Sequence, residues 1–280
     1  MAGDLRRRHT VLTLRAKKTA GERIAMVTAY DAAQAAVVEA AGADVILVGD
    51  SVGMVMLGYE TTIPVTLDDM VHHAAAARRG APGTMLLVDM PFLTYRGDPA
   101  QTLRAAGRIM QEALADGVKI EGGEAVAPHV RTLAEAGIPV CAHLGLTPQS
   151  VLQFGGFRVQ ARGEAAAGRL LADARALEAA GAFLLVLECI PAPLAESVTD
   201  ALGIPTIGIG AGAGCNGQVL VYHDLLGLRP DRPPRFVKPY AGLYEASVAA
   251  LQAYCSDVRA GRFPDAAHSY QAQEGEKRQP

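Results

Sequence analysis

The chain has 280 residues, half of them apolar, and carries 26 Lys and Arg against 29 Asp and Glu, a net charge of −3. That size suits one large α/β domain or two small ones, and the near-balanced charge leaves no broad basic surface for nucleic acid or anionic lipid, so the expected partner is a small ligand. No run of 18 apolar residues occurs, no apolar stretch follows the basic N-terminus (Arg6, Arg7, Arg8, Arg15, Lys17, Lys18) as a leader would require, and Cys141, Cys189, Cys215 and Cys255 form no CxxC pair, so a membrane is excluded as partner and a reducing cytoplasm is the expected compartment.

Residues 5–18 have the pattern of a short amphipathic helix with a solvated basic side. A repeat then begins: a short apolar run, a loop, an Ala- and Leu-rich helical segment, and a Gly or Pro stop. Eight runs read as strands, at residues 24–29, 44–49, 84–90, 118–121, 139–144, 183–189, 205–210 and 218–223. Helices are expected over residues 32–41, 67–79, 99–115, 126–136, 165–180, 193–202 and 241–260. The exits Ala41-Gly42, Asp116-Gly117, Ala136-Gly137-Ile138-Pro139, Ala180-Gly181 and Leu202-Gly203-Ile204-Pro205 supply left-handed caps and proline stops. Continuous apolar strands alternating with helices predict an α/β fold with a parallel sheet. Eight units in this length fit a single (βα)8 TIM barrel over residues 1–264, with a short N-terminal helix and a polar tail at 265–280, better than an open doubly wound sheet, which the pattern alone leaves open.

The polar residues fall in register. Asp50-Ser51 closes strand two, Asp89 lies in strand three, Lys119 and Glu121 in strand four, His143 in strand five and Glu188 in strand six. In a βα barrel these ends open onto one face, the face that carries active sites. Lys119 and Glu121 are two apart and so share a side of their strand, where burying them requires a counter-charge or a metal. Asp50, Asp89 and Glu121 together make a hard-oxygen set suited to Mg²⁺. Lys119 then serves as counter-charge to a carboxylate or an oxyanion, and Glu188, between Leu187 and Cys189, is placed in apolar surroundings as a base. Helix capping by Asp50 or Asp89, or a structural ion pair between Lys119 and a carboxylate, would leave the same trace in the sequence. The glycines at 208, 210, 212 and 214 fail the dinucleotide spacing and read as a close-approach turn. Residues 146–156 form a long loop after strand five, a lid or binding loop or else a plain surface excursion.

Thr28-Ala29-Tyr30-Asp31, Val48-Gly49-Asp50-Ser51, Val118-Lys119-Ile120-Glu121-Gly122-Gly123-Glu124, His143-Leu144-Gly145-Leu146-Thr147-Pro148-Gln149-Ser150, Leu187-Glu188-Cys189 and Gly208-Ile209-Gly210-Ala211-Gly212 occur in order. This series resembles the motifs of the ketopantoate hydroxymethyltransferase family over about residues 10–270. The resemblance implies a homodecameric (βα)8 barrel that uses Mg²⁺ to transfer a one-carbon unit from 5,10-methylenetetrahydrofolate to 3-methyl-2-oxobutanoate, the first committed step of pantothenate synthesis. It places metal ligands on Asp50, Asp89 and Glu121, substrate contacts on Asp50, Ser51, Asp89 and Lys119, and the proton acceptor on Glu188, with His143 and Tyr30 as supporting candidates. Asn216 stands where the family usually has Asp. The rival reading is a Mg²⁺-dependent 2-oxo acid carbon–carbon lyase or phosphonomutase of the isocitrate lyase type, against which the chain lacks a Lys-Cys-Gly-His loop.

Overall fold

The computed structural model of the chain describes residues 8–270. Residues 1–7, where the first helix was expected to begin, and the tail beyond 270 lie outside them. The chain divides into two compact units, Met1–Tyr222 and His223–Pro280.

The first unit holds eight parallel strands, β1 (Ile24–Thr28), β2 (Val45–Val48), β3 (Met85–Asp89), β4 (Gly117–Glu121), β5 (Val140–Gly145), β6 (Leu184–Glu188), β7 (Thr206–Ile209) and β8 (Gly217–Leu220). They form a closed barrel in sequence order, β8 pairing with β1. Around them run α1 (Val11–Ala20), α2 (Ala32–Ala40), α3 (Val52–Val55), α4 (Leu67–Gly80), α5 (Pro99–Glu112), α6 (Ala127–Glu135), α7 (Val151–Phe154), α8 (Glu164–Ala179) and α9 (Ala192–Ala201).

Strand parity sorts the core into two shells. Ile46, Val48, Leu86, Val88, Val118, Ile120, Leu185 and Leu187 face outward into the layer shared with the helices. Their neighbours Met26, Val45, Leu47, Met85, Leu87, Cys141, Leu184, Val186 and Ile207 fill the barrel lumen, because successive side chains alternate across a strand. Leu14 of α1 is fully buried in that inner shell, so α1 closes the N-terminal end of the barrel. It begins only at Val11 because Thr10 and Thr13 form a reciprocal cap there. Lys18, also on α1, donates to the carbonyls of Thr199, Leu202 and Ile204 at 2.8, 2.7 and 2.9 Å and so caps the C-terminal end of α9.

One strand end departs from the expected bounds, while the connection from β7 to β8 carries no helix, in keeping with the expected close-approach turn. The glycine-rich stretch instead lies directly on α9, where a Cβ at Gly212 would come within 2.4 Å of the Ala192 Cβ. Residue 212 also has φ of 79°, which glycine adopts freely. The last strand ends at Leu220 and not at residue 223, because the Tyr222 N–H donates to Thr28 Oγ1 (3.0 Å) and the chain turns into α10 (Tyr222–Leu226).

The second unit carries α11 (Leu243–Arg259), close to the expected 241–260, and a short 3₁₀ turn at Ala266–His268 capped by Asp265. No helix among the described residues is long and apolar enough to cross a membrane.

Candidate active site

The lumen-facing positions of β3 to β6 turn polar at their C-terminal ends. Asp89 continues the inward series Met85, Leu87; Lys119 and Glu121 continue from Gly117; His143 follows Cys141; Glu188 follows Leu184 and Val186. Register makes neighbours of them. Asp89 is paired with Lys119 across β3 and β4, and Glu121 with His143 across β4 and β5. The Lys119 ammonium accordingly lies 2.7 Å from Asp89 Oδ1 and 3.9 Å from Glu121 Oε1. His143 bridges two carboxylates, with Nδ1 3.3 Å from Glu121 Oε1 and Nε2 3.2 Å from Glu188 Oε2. The expected apolar setting of Glu188 is therefore replaced by an imidazole partner.

Asp50 and Ser51 arrive from the end of β2. Neither aspartate caps a helix. The Asp89 Oδ2 accepts the Asp50 N–H at 3.0 Å, and Asp50 Oδ2 accepts from the Gln149 amide at 2.8 Å. The chain comes so close here that a Cβ on Gly49 would stand 2.8 Å from Ser51 Oγ and 3.4 Å from Asp89 Oδ2. Tyr30, fully buried, shares a hydrogen bond of 2.8 Å with Ser51 Oγ, and its carbonyl meets His73 Nδ1 at 2.7 Å. Gly145 lets β5 and β6 close together, since a Cβ there would lie 2.1 Å from the Glu188 carbonyl.

The electrostatics are dominated by an excess of buried carboxylate. Asp50, Asp89, Glu121 and the half-buried Glu188 face Lys119 and His143. Burial and then the charges of Asp89 and Glu121 push the Asp50 carboxyl well above the usual range. For Glu121 burial acts the same way, but His143 and Lys119 outweigh it and hold the group ionised. Burial opposes charge on Lys119 too, and the three carboxylates overcome it. His143, disfavoured as a cation by burial and by Lys119, is still raised to about 9 by Glu121 and Glu188. Asp89 Oδ1, Glu121 Oε1 and both His143 nitrogens are buried without well-formed hydrogen bonds, so their contacts are ionic.

Among the described residues no three His, Cys, Asp or Glu side chains form a ready-made ligand shell; the Lys119 ammonium stands among the carboxylates instead. The set nonetheless fits a divalent cation. Four carboxylates facing two cationic side chains favour added positive charge, and Mg²⁺ needs only one or two carboxylates with water and substrate oxygens completing its shell.

The structure thus brings together all of Asp50, Ser51, Asp89, Lys119, Glu121, His143 and Glu188, with Tyr30 behind Ser51. It adds two residues to which no role had been attached. Gln149 is buried between Asp50 and Glu121, and Tyr95 is fully buried with its hydroxyl 2.5 Å from Gln149 Oε1. Asn216 lies at the opposite end of the barrel, where its Oδ1 accepts from the Thr206 N–H (3.0 Å) and its carbonyl from the Ile24 N–H. An amide oxygen serves there as well as a carboxylate, so this departure leaves the site unchanged.

A family model described as ketopantoate hydroxymethyltransferase matches residues 8–266. The chain is 56% identical over 265 residues to a 3-methyl-2-oxobutanoate hydroxymethyltransferase of Moorella thermoacetica, covering 95% of this chain and 98% of that one. It is 53% identical over 264 residues to the one of Syntrophus aciditrophicus, covering 94% and 97%. Among solved structures it is similar to 2,3-dimethylmalate lyase, of the PEP mutase/isocitrate lyase superfamily, with a TM-score of 0.58, 20% identity and coverage of 92% and 91%. It is likewise similar to phosphoenolpyruvate phosphomutase of Streptomyces platensis subsp. rosaceus, with a TM-score of 0.61, 17% identity and coverage of 90% and 88%. At such identities the structural likeness speaks for the barrel alone, whereas the relatives above half identity and the family match across the barrel decide the sequence family: the chain belongs to the ketopantoate hydroxymethyltransferases.

Proposed function

We propose that this protein transfers a hydroxymethyl group from 5,10-methylenetetrahydrofolate to 3-methyl-2-oxobutanoate, consuming water and giving 2-dehydropantoate for pantothenate synthesis. The observation that carries the reading is the convergence of Asp50, Asp89, Lys119, Glu121, His143 and Glu188 at one end of the barrel, in a family whose relatives bear that activity in their names. Asp50 and Asp89 would hold Mg²⁺, with Glu121 completing the protein's set, and the bound cation would polarise the 2-oxo acid and acidify its C3 proton. Asp50, Ser51, Asp89 and Lys119 bind the keto acid, with Tyr30 fixing the Ser51 hydroxyl. Glu188 takes the C3 proton, and its partner His143, 3.2 Å away, aims that carboxylate. Lys119 stabilises the resulting enolate, whose C3 forms the new bond to the one-carbon unit. Both C–N bonds of the folate methylene break in the process, water supplies the hydroxyl oxygen, and tetrahydrofolate leaves with its nitrogens reprotonated.

The same resemblance supports a homodecamer, the cysteine usage a cytoplasmic setting, and the repeat pattern with the polar composition of the tail a catalytic domain spanning residues 1–264 followed by a tail at 265–280. The test is turnover of 3-methyl-2-oxobutanoate with methylenetetrahydrofolate. 2-Dehydropantoate should form only with both substrates, stop with EDTA and resume with Mg²⁺. Cleavage of a 2-oxo acid carbon–carbon bond in place of transfer would overturn the reading.

A further inference from the structure

Gln149, to which no role has been given, is tied to two of the carboxylates of the site. Its Nε2 donates to Asp50 Oδ2 (2.8 Å) and to the Met90 carbonyl (3.0 Å). Its Oε1 accepts from the Tyr95 hydroxyl (2.5 Å), and its backbone N–H donates to Glu121 Oε2 (3.1 Å). The Tyr95 hydroxyl in turn accepts from the Glu121 N–H at 3.3 Å. Burial and the nearby Glu121 keep that phenol protonated, so it remains a donor. The amide orientation is thereby set, because turning it over would lay Oε1 against the Met90 carbonyl, two acceptors face to face, and deprive the Tyr95 hydroxyl of its acceptor. A ring of hydrogen bonds runs from Glu121 through Tyr95 to the Gln149 amide and back to Glu121 through the Gln149 backbone, with Asp50 held on the outside of it by Nε2. A residue that only filled space at the barrel mouth would not need each polar atom satisfied by a different strand end.

We infer that Gln149 is the positioning residue of the cation site: it holds one oxygen of Asp50 and one of Glu121, and so fixes the orientation in which both carboxylates meet a divalent ion. The inference rests on the cation site proposed above and extends it to a residue outside the ligand set. Partners of this kind, which orient ligating carboxylates without touching the metal, change affinity by roughly 10- to 100-fold when removed.

The test titrates Mg²⁺ alone into chelator-stripped full-length protein, followed by calorimetry. Gln149→Met keeps the length of the side chain and loses its hydrogen bonds; its Mg²⁺ dissociation constant should rise by at least roughly tenfold. Thr199→Val removes a buried hydrogen bond of 2.7 Å to Thr206, at the start of β7 and so at the opposite end of the barrel. It controls for general loosening and should leave Mg²⁺ affinity within about twofold, by the additivity of distant sites. If Gln149→Met does not fold, Gln149→Asn replaces it, since a shorter side chain withdraws the amide from Asp50, and the same rise is required. A folded variant that binds Mg²⁺ like the parent overturns the positioning role. A parent protein that binds no Mg²⁺ overturns the cation site itself and is a distinct result.

Discussion

Replacing Lys119 by Met removes the one ammonium from a buried cluster of carboxylates while keeping the length of the side chain. The ammonium sits 2.7 Å from Asp89 and 3.9 Å from Glu121, and all three side chains are at most 5% exposed. At an effective dielectric constant of about 20 those separations correspond to gross attractions of about 6 and 4 kcal/mol. The cost of desolvating the ammonium offsets much of that, which is why breaking a buried pair from one side nets about 3–5 kcal/mol. Protonation of a neighbouring carboxyl limits the loss, since Asp50 already stands well above the usual carboxylate range through burial and the charges of Asp89 and Glu121. At roughly 2–4 °C per kcal/mol for a domain of this size, Lys119→Met should lower Tm by about 6–20 °C in EDTA. The loss should shrink when Mg²⁺ is added, because a divalent cation among the same carboxylates supplies charge that the variant lacks. Differential scanning calorimetry of parent and variant, each with EDTA and with Mg²⁺, reads both effects. A variant melting within 2 °C of the parent in EDTA would refute the claim that Lys119 compensates this cluster.

Three further outcomes follow from other parts of the molecule. Glu188→Gln should abolish exchange of the C3 proton of 3-methyl-2-oxobutanoate in D₂O while leaving Mg²⁺ binding largely intact; near-parental exchange, measured by proton NMR, would remove Glu188 from the role of base. Burial and Arg96 hold His129 below its ordinary pKa, so the folded state resists its protonation. Its contribution is therefore complete above pH 6.5 and is lost as pH falls below that value. Tm should fall from pH 7.5 to 5.5 by less in His129→Gln than in the parent, and an equal fall in both would contradict the assignment. Lys18→Met deletes the three bonds that cap α9 and, the ammonium being partly exposed, should cost about 2 kcal/mol with kcat unchanged; a Tm equal to the parent's would show that the cap contributes nothing.

Much of this architecture is legible in the residues, for reasons that also mark the limit. A buried parallel strand has a period of two, so once the apolar run around Lys119 is taken as a strand, Lys119 and Glu121 must share a face, and the lumen is where the structure places them. Helices are announced by Gly and Pro at their exits, and α2, α4, α5, α6, α8, α9 and α11 all lie within three residues of the expected bounds. The four-residue helices α3 and α7 are too short to show a period, and the sequence reading passed over both. The end of β8 was missed because Val221-Tyr222-His223 reads as strand, whereas the Thr28 hydroxyl draws the Tyr222 N–H out of the ladder. The loop at 146–156 is not a surface excursion at its start. Leu146, Thr147, Gln149 and Val151 are buried, and Gln149 fastens it to the site. Nothing local distinguishes Gln149 or Tyr95 from an ordinary loop residue, since their roles exist only through partners far apart in the chain, such as Asp50 at a separation of 99 residues.

The central claim, that carboxylates from separate strand ends meet on one divalent cation beside the keto acid, is tested most directly by a crystal structure with Mg²⁺ and 3-methyl-2-oxobutanoate bound. The account predicts Mg²⁺ at about 2.0–2.1 Å from oxygens of Asp50 and Asp89, with Lys119 in contact with the keto acid and Glu188 facing its C3. A cation bound elsewhere, or a keto acid seated away from these side chains, would contradict it.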